Sequence, residues 1–85
     1  MFNMEKIGAF ISAKRRESGL TQGQFAEKLN VTHQAVSKWE RGEAMPEISK
    51  IGELAKILGV SADEILIQMH EDKKSDTAEY TDAND

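Results

Sequence analysis

Polar side chains recur at the spacing of one helical face between residues 33 and 41. They are His33, Gln34, Ser37, Lys38 and Arg41. Glutamine can form a bidentate contact with adenine, lysine donates to guanine, and serine and histidine can pair with several base edges. This chemistry suits the reading of DNA in its major groove. Taken alone, however, the same pattern also describes an ordinary solvated helix face.

Two short helices joined by a tight turn are predicted to position this face. The first runs from Thr21 to about Leu29, and Thr21 with Gln24 forms a capping-box pattern at its start. The second begins at Thr32, so only two residues separate the helices. One of them, Asn30, tolerates the left-handed backbone that such a turn requires. The sequence therefore predicts two steeply crossed helices, as in a helix-turn-helix.

Three further helices complete the expected all-α domain of five helices. Helical spacing places them over residues 5–17, 46–58 and 61–68, and no segment alternates like a strand over a useful length. Apolar side chains on one side of each helix are expected to form the core. They are Ile7, Phe10, Ile11, Ala13, Ile48, Ile51, Leu54, Ala55, Leu58, Ile65 and Leu66.

The charge of the chain is divided unevenly. The 85 residues carry a net charge of −4, and residues 71–85, with six acids and two lysines, account for all of it. Residues 1–68 are expected to form the domain, and residues 69–85 are expected to be a disordered acidic tail or the start of a linker. The domain has no surplus of lysine and arginine of the kind that marks many nucleic-acid-binding domains. Whether it can bind DNA therefore depends on where its basic residues lie.

Several classes of protein are disfavoured by composition. No cysteine is present, which leaves neither a disulfide nor a thiolate metal site. No apolar run is long enough for a membrane span or a secretory signal, so we expect a cytoplasmic protein. His33 and His70 are the only histidines, and no glycine-rich phosphate loop follows a strand. We expect no enzyme activity, no cofactor, no metal and no small-molecule substrate.

A second group of residues could bind the phosphates of DNA. Thr21 and Gln22 stand at a helix start, where free amides and the helix dipole attract an anion. Arg41 and Lys50 could contact the backbone on the other side. Each of the four could equally be a capping or surface residue.

The run from Arg15 to Leu66 resembles the Cro/C1-type helix-turn-helix (XRE) family of bacterial and phage transcriptional regulators, and the match spans residues 5–67. The residues that stand at the family's spacing include Leu20-Thr21-Gln22, Ala26, Val36-Ser37, Trp39-Glu40, Gly42, Pro46, Leu58-Gly59-Val60 and Leu66. The family turn commonly has glycine where this chain has Asn30. Many relatives also carry lysine or arginine in the loop at 42–45, which has neither here.

The resemblance implies a lambda-repressor-like fold and assigns roles to particular residues. Gln22 is similar to a phosphate-contacting glutamine, and Arg15 and Glu40 stand where the family often has a semi-buried ion pair. The base-reading positions correspond to His33, Gln34, Ser37 and Lys38.

The family also implies a homodimer on a palindromic operator. Contacts between the two copies are expected at the fifth helix, with Ile67 and Met69 as candidates, although both could simply belong to a frayed helix end.

The leading hypothesis is a sequence-specific regulator, with repression as the expected direction, that binds double-stranded DNA. The alternative is a protein-interaction module, such as an antitoxin-like partner, in which the neutral domain or its acidic tail binds another protein.

Overall fold

The computed structural model describes residues 3–69, which form five α-helices and one 3-10 turn without any strand. The helices are α1 (Met4–Glu17), α2 (Gln22–Leu29), α3 (His33–Glu40), α4 (Ile51–Leu58) and α5 (Ala62–Met69), and the 3-10 turn covers Ile48–Lys50. The predicted all-α, five-helix fold is confirmed. The acidic segment from residue 70 onward lies outside the described residues.

Four of the five helices begin at a side chain that accepts a free backbone N–H. The Asn3 side chain accepts from Lys6 at 2.9 Å, and Thr21 forms the full capping box with Gln24 at 3.1 and 2.9 Å. The other two acceptors are Thr32, which accepts from Ala35 at 3.0 Å, and Ser61, which accepts from Glu64 at 3.0 Å. These local bonds fix where each helix starts.

The turn between α2 and α3 has the predicted geometry. Asn30 adopts a left-handed backbone, with φ 59° and ψ 43°. Its N–H donates to the carbonyl of Glu27 at 3.1 Å, and the N–H of Val31 donates to Ala26 at 3.0 Å. This pair of bonds is a Schellman motif, which satisfies the last carbonyls of α2 and turns the chain sharply toward α3.

The core lies between the five helices, where α1 packs against α3, α4 and α5 and α2 packs against α3 and α4. Its fully buried side chains include Ile7, Ile11, Phe25, Leu29, Val36, Leu54, Ile65 and Met69. Helix α3 packs against both α1 and α2, and α5 packs against α1 and α4. Helices α1 and α2 thereby support α3 from behind its outer face.

Gly8 permits the close crossing of α1 over the end of α3. A Cβ atom at this position would collide with the carbonyl oxygen of Trp39 and would lie 3.1 Å from that of Glu40. The backbones of the two helices therefore approach more closely than any larger residue allows.

Three of the expected core residues are exposed. Ile48 is 70% exposed because its segment forms a 3-10 turn, whose three-residue repeat rotates it away from the face that α4 buries. Leu66 is 37% exposed because it follows Ile65, which occupies the inward position on α5. Ala13 is also exposed on α1.

Met69 was predicted to belong to the tail and to be available for a partner, and this is wrong. It is the last residue of α5, only 2% exposed, and packs in the core. Its carbonyl accepts a hydrogen bond from the backbone N–H of Asn3 at 2.6 Å, so it ties the end of α5 to the start of α1. Ile67, in contrast, is 61% exposed.

Candidate nucleic-acid interface

The predicted base-reading residues all lie on the outer side of α3. His33, Gln34 and Lys38 are exposed and Ser37 is half-buried, whereas Val36 and Trp39 on the inner side are buried. The rotation of α3 is fixed because these two apolar side chains enter the core. One continuous polar surface therefore faces solvent along the helix.

Gln22 connects the start of α2 to both ends of α3. Its side-chain Nε2 donates to Glu40 Oε1 at 2.9 Å, and its Oε1 lies 3.0 Å from His33 Nε2. Because the amide oxygen can only accept, the contact is a hydrogen bond in which His33 Nε2 carries the proton. The sequence identified these three residues but not their connection, since it gives no distance between separate helices.

Arg15 and Glu40 form an ion pair between α1 and α3. Arg15 Nε and Nη2 donate to the two carboxylate oxygens at 2.6 and 3.0 Å, and Nη1 donates to the Leu20 carbonyl at 2.7 Å. The two side chains are only 10% and 6% exposed. The pair fixes the carboxyl end of α3, and with it the end of the polar surface. It occupies the donors of Arg15, which are then not available to bind DNA.

The ionised form of Glu40 is favoured by its hydrogen bonds. Burial alone raises the pKa of Glu40, but the hydrogen bonds from Arg15 and Gln22, together with the charge of Arg15, lower that pKa below its usual value. A charged carboxylate therefore stands behind the polar surface of α3 and holds Gln22 in place.

The start of α2 has the form of a weak anion site. Thr21 accepts the N–H of Gln24 and so caps the helix, while the first N–H groups of α2 have no helical carbonyl to bond. The backbone N–H of Gln22, the first residue of α2, is one of these groups. Because the positive end of the helix dipole points the same way, the arrangement suits a phosphate oxygen.

Arg41, the predicted phosphate contact just after α3, already has partners. Its Nε and Nη2 donate to the carboxylate of Glu43 at 2.9 and 3.1 Å, and Nη1 donates to Ser37 Oγ. Arg41 and Glu43 are both exposed, at 53% and 54% of their side chains. Sequence reasoning missed Glu43, because the two side chains meet only where the left-handed Gly42 folds the chain back after α3.

Lys50, also predicted to contact phosphate, lies against the end of α2. Its Nζ donates to the carbonyl of Leu29 at 3.0 Å and stands 3.6 Å from Glu53. A cation at this position stabilises the negative end of the helix dipole. The structure thus gives Lys50 a role in docking the 3-10 turn onto α2.

The Helix-turn-helix family model HTH_3 matches residues 11–65, which include all of α2, α3 and α4. The chain belongs to this family. The predicted resemblance to Cro/C1-type regulators is confirmed by that match and by relatives that are named as regulators of the same type.

Two relatives illustrate how far the likeness extends. The chain is 40% identical over 52 residues to the HTH-type transcriptional activator BcrR of Enterococcus faecalis, covering 61% of this chain and 26% of that protein. It is 38% identical over 64 residues to an SPbeta prophage-derived uncharacterized HTH-type regulator, YonR, of Bacillus subtilis, covering 75% of this chain and 59% of YonR. The chain thus spans between about a quarter and three fifths of these two relatives.

A solved structure extends the comparison to a DNA complex. The chain is similar to the P22 c2 repressor protein, which was crystallised with a synthetic operator, with a TM-score of 0.66 and 30% identity. The alignment covers 69% of this chain and 89% of that one. The predicted lambda-repressor-like fold is confirmed by this neighbour.

Proposed function

We propose that this chain is a transcriptional regulator that recognises a specific sequence in double-stranded DNA by placing α3 in the major groove. The observation that carries the proposal is the exposed polar surface of α3, formed by His33, Gln34, Ser37 and Lys38 and held in place by the core behind it. These side chains offer donors and acceptors for base edges. A rigid support limits the entropy lost when they bind.

The second part of the proposal concerns the phosphates. One phosphate binds at the start of α2, where the first backbone amides have no helical partner and Gln22 keeps a second side-chain N–H beyond the one that bonds Glu40. Another binds near Arg41 at the far end of α3. Lys50 keeps N–H groups beyond the one that bonds the Leu29 carbonyl. It contributes a positive charge at the carboxyl end of α2.

We further propose that two copies bind a palindromic operator. Leu66 and Ile67 are neighbouring exposed apolar residues on α5, and they take the place of Met69 as candidates for contacts between the copies. Dimeric helix-turn-helix proteins bind half-sites about one helical turn apart. The P22 c2 repressor, whose crystal structure is a complex with a synthetic operator, supports operator binding by analogy.

Repression is the direction that operator occupancy produces without further contacts, because a bound protein blocks access to a promoter. One relative is named as an activator, so a reporter gene placed downstream of the selected site decides between the two directions.

Such regulation takes place in the cytoplasm of a bacterium, which makes the predicted cytoplasmic location part of this proposal. None of the helices in the described residues is suited to crossing a membrane.

Neither the interaction-module alternative nor an enzymatic role is proposed. The two relatives described above are named as a transcriptional activator and a transcriptional regulator, which does not favour an antitoxin-like module. Within residues 3–69, no three histidine, aspartate or glutamate side chains are placed to hold a metal ion. An open groove of about 280 Å³ beside α3 brings together no catalytic group of residues. Its lining consists of Val31, Ala35, Trp39, Met45, Glu47 and Lys50.

The proposal is tested by selecting bound duplexes from a random library and titrating the enriched sequence at several salt concentrations. We expect a palindromic site and a steep loss of affinity with salt, because each neutralised phosphate contributes a slope of about −0.9. The stoichiometry by analytical ultracentrifugation should be two chains per site, and Ile67→Glu should reduce it to one. No enrichment, or binding unaffected by salt, contradicts the proposal.

A further inference from the structure

Four helix ends in the described residues share one geometry. A left-handed residue follows each helix, and the residue after it donates its N–H to a carbonyl five positions back, at 2.9 to 3.2 Å. The left-handed residues are Gly19, Asn30, Gly42 and Gly59. The donors that follow them are Leu20, Val31, Glu43 and Val60.

Glu43 breaks the pattern that the other three donors follow. Leu20, Val31 and Val60 are apolar and pack against the core, as residues at this position of a Schellman motif commonly do. Glu43 is charged and exposed. The end of α3 therefore has a carboxylate where the other helix ends have a hydrophobic contact.

The backbone determines where this carboxylate lies. The N–H of Glu43 bonds the Lys38 carbonyl at 2.9 Å, which folds residue 43 back over the last turn of α3. Gly42 is left-handed at φ 75°, and a Cβ there would lie 3.1 to 3.4 Å from atoms of Glu5, so the loop is pressed against α1. Glu43 is thus held beside the polar surface.

The partners of the carboxylate are those that a phosphate would use. Glu43 binds the Arg41 guanidinium with two N–O contacts, at 2.9 and 3.1 Å, and Arg41 also donates to Ser37. The hydrogen bond from Arg41, and then the charges of Arg41 and Lys38, lower the pKa of Glu43. Carboxylate and phosphate both accept the arginine fork in this bidentate way.

We propose that the Glu43 carboxylate occupies the position of a DNA phosphate at the end of α3, and that DNA must displace it when α3 enters the groove. The inference rests on the proposed DNA-binding function. In the unmodified chain, the free energy needed to break the Arg41–Glu43 pair lowers the affinity for every sequence alike, since phosphate contacts carry no sequence information. Contacts to the DNA bases therefore provide a larger share of the operator-binding free energy than they would if Arg41 were free to bind phosphate.

The test compares Glu43→Gln with Glu47→Gln on a labelled mixed-sequence duplex. Both variants remove one negative charge from the same loop, but the Glu47 side chain forms no ion pair among the described residues and accepts only from Ser49 Oγ, at 3.4 Å. Binding is followed by fluorescence anisotropy between about 50 and about 200 mM salt. Circular dichroism confirms that each variant is folded.

Glu43→Gln should bind the duplex roughly fivefold more tightly than the unmodified chain at low salt, with a slope steeper by about 0.9, since Arg41 gains a phosphate. Glu47→Gln should gain roughly twofold or less from the change in net charge alone. In an Arg41→Gln background, Glu43→Gln should lose its advantage over Glu47→Gln.

Equal gains for the two glutamate variants, or a gain that persists without Arg41, overturn this inference while leaving DNA binding intact. Failure of the unmodified chain and of every variant to bind any duplex at low salt overturns the proposed function, and this inference with it.

Discussion

Arg15 and Glu40 join α1 to α3 through two N–O contacts of 2.6 and 3.0 Å, and the same carboxylate accepts from Gln22 on α2. One glutamate thus connects the three helices that position the candidate recognition surface. Both members of the ion pair are nearly buried. Removing either charge leaves the other desolvated without its partner.

We therefore expect Glu40→Gln to lower the free energy of unfolding by about 3 kcal/mol, the cost of breaking a largely buried pair. Glu53→Gln is the matched control, because Glu53 is 61% exposed and stands 3.6 Å from Lys50. That change should cost no more than about 0.5 kcal/mol. Urea denaturation at pH 7 measures both values, and similar losses in the two variants would contradict the role assigned to Glu40.

The same residue should give stability a pH dependence. The pKa of Glu40 is lower in the folded state than in the unfolded chain, so the unfolded state binds more protons at acidic pH. The resulting stabilisation is present above the unfolded pKa of about 4.3 and is lost as the pH falls through the folded pKa. The difference in stability between the unmodified chain and Glu40→Gln should therefore shrink on acidification. A constant difference from pH 7 to acid would refute this.

Two glycines in helices should respond oppositely to alanine. Gly8→Ala should cost about 3 kcal/mol, because its Cβ meets the backbone carbonyls of Trp39 and Glu40, which cannot move without shifting α3. Gly52→Ala on α4 should stabilise the domain by roughly 0.5 kcal/mol, since nothing lies within 4 Å of its Cβ and alanine favours the helix. Thermal melting compares them, and a harmless Gly8→Ala would show that the crossing is not tight.

Asn30 should be sensitive to backbone preference alone. Asn30→Ala should destabilise the domain by about 1 kcal/mol, because alanine has the same Cβ clash at φ 59° but lacks the short polar side chain that lets asparagine tolerate this conformation. Asn30→Gly should be nearly neutral, since glycine adopts this conformation without a steric cost. Denaturation midpoints of the two variants distinguish this explanation from one in which the Asn30 side chain stabilises the domain through contacts with other helices, which predicts equal losses.

Changing Gln34 and Lys38 to alanine should abolish operator preference without unfolding the chain, because both side chains are exposed on α3. Each lost base contact should cost about 1–3 kcal/mol on the selected site and much less on a mixed duplex. Lys56→Ala, on the exposed side of α4, provides a charge control for Lys38. Unaltered specificity in the double variant would eliminate α3 as the reading helix.

The positions that sequence reasoning misjudged share a cause. Ile48, Leu66 and Met69 are all apolar, but apolar character does not state which side of an element faces inward. A 3-10 turn in place of an α-helical start rotated Ile48 outward, and the contact between α5 and α1 buried Met69. The burial of Met69 depends on α1, which is distant in the chain, and the 3-10 turn is held against α2 by the bond from Lys50 to the Leu29 carbonyl.

The sequence by itself determined the helix starts, the left-handed turn at Asn30 and the polar side of α3, because capping, backbone sterics and helical periodicity act within a few residues. Only the tertiary structure decided which polar groups meet. The Gln22–Glu40 contact and the fit of Gly8 against α3 join residues on separate helices. Their distances are fixed by how the core packs, and no local spacing encodes them.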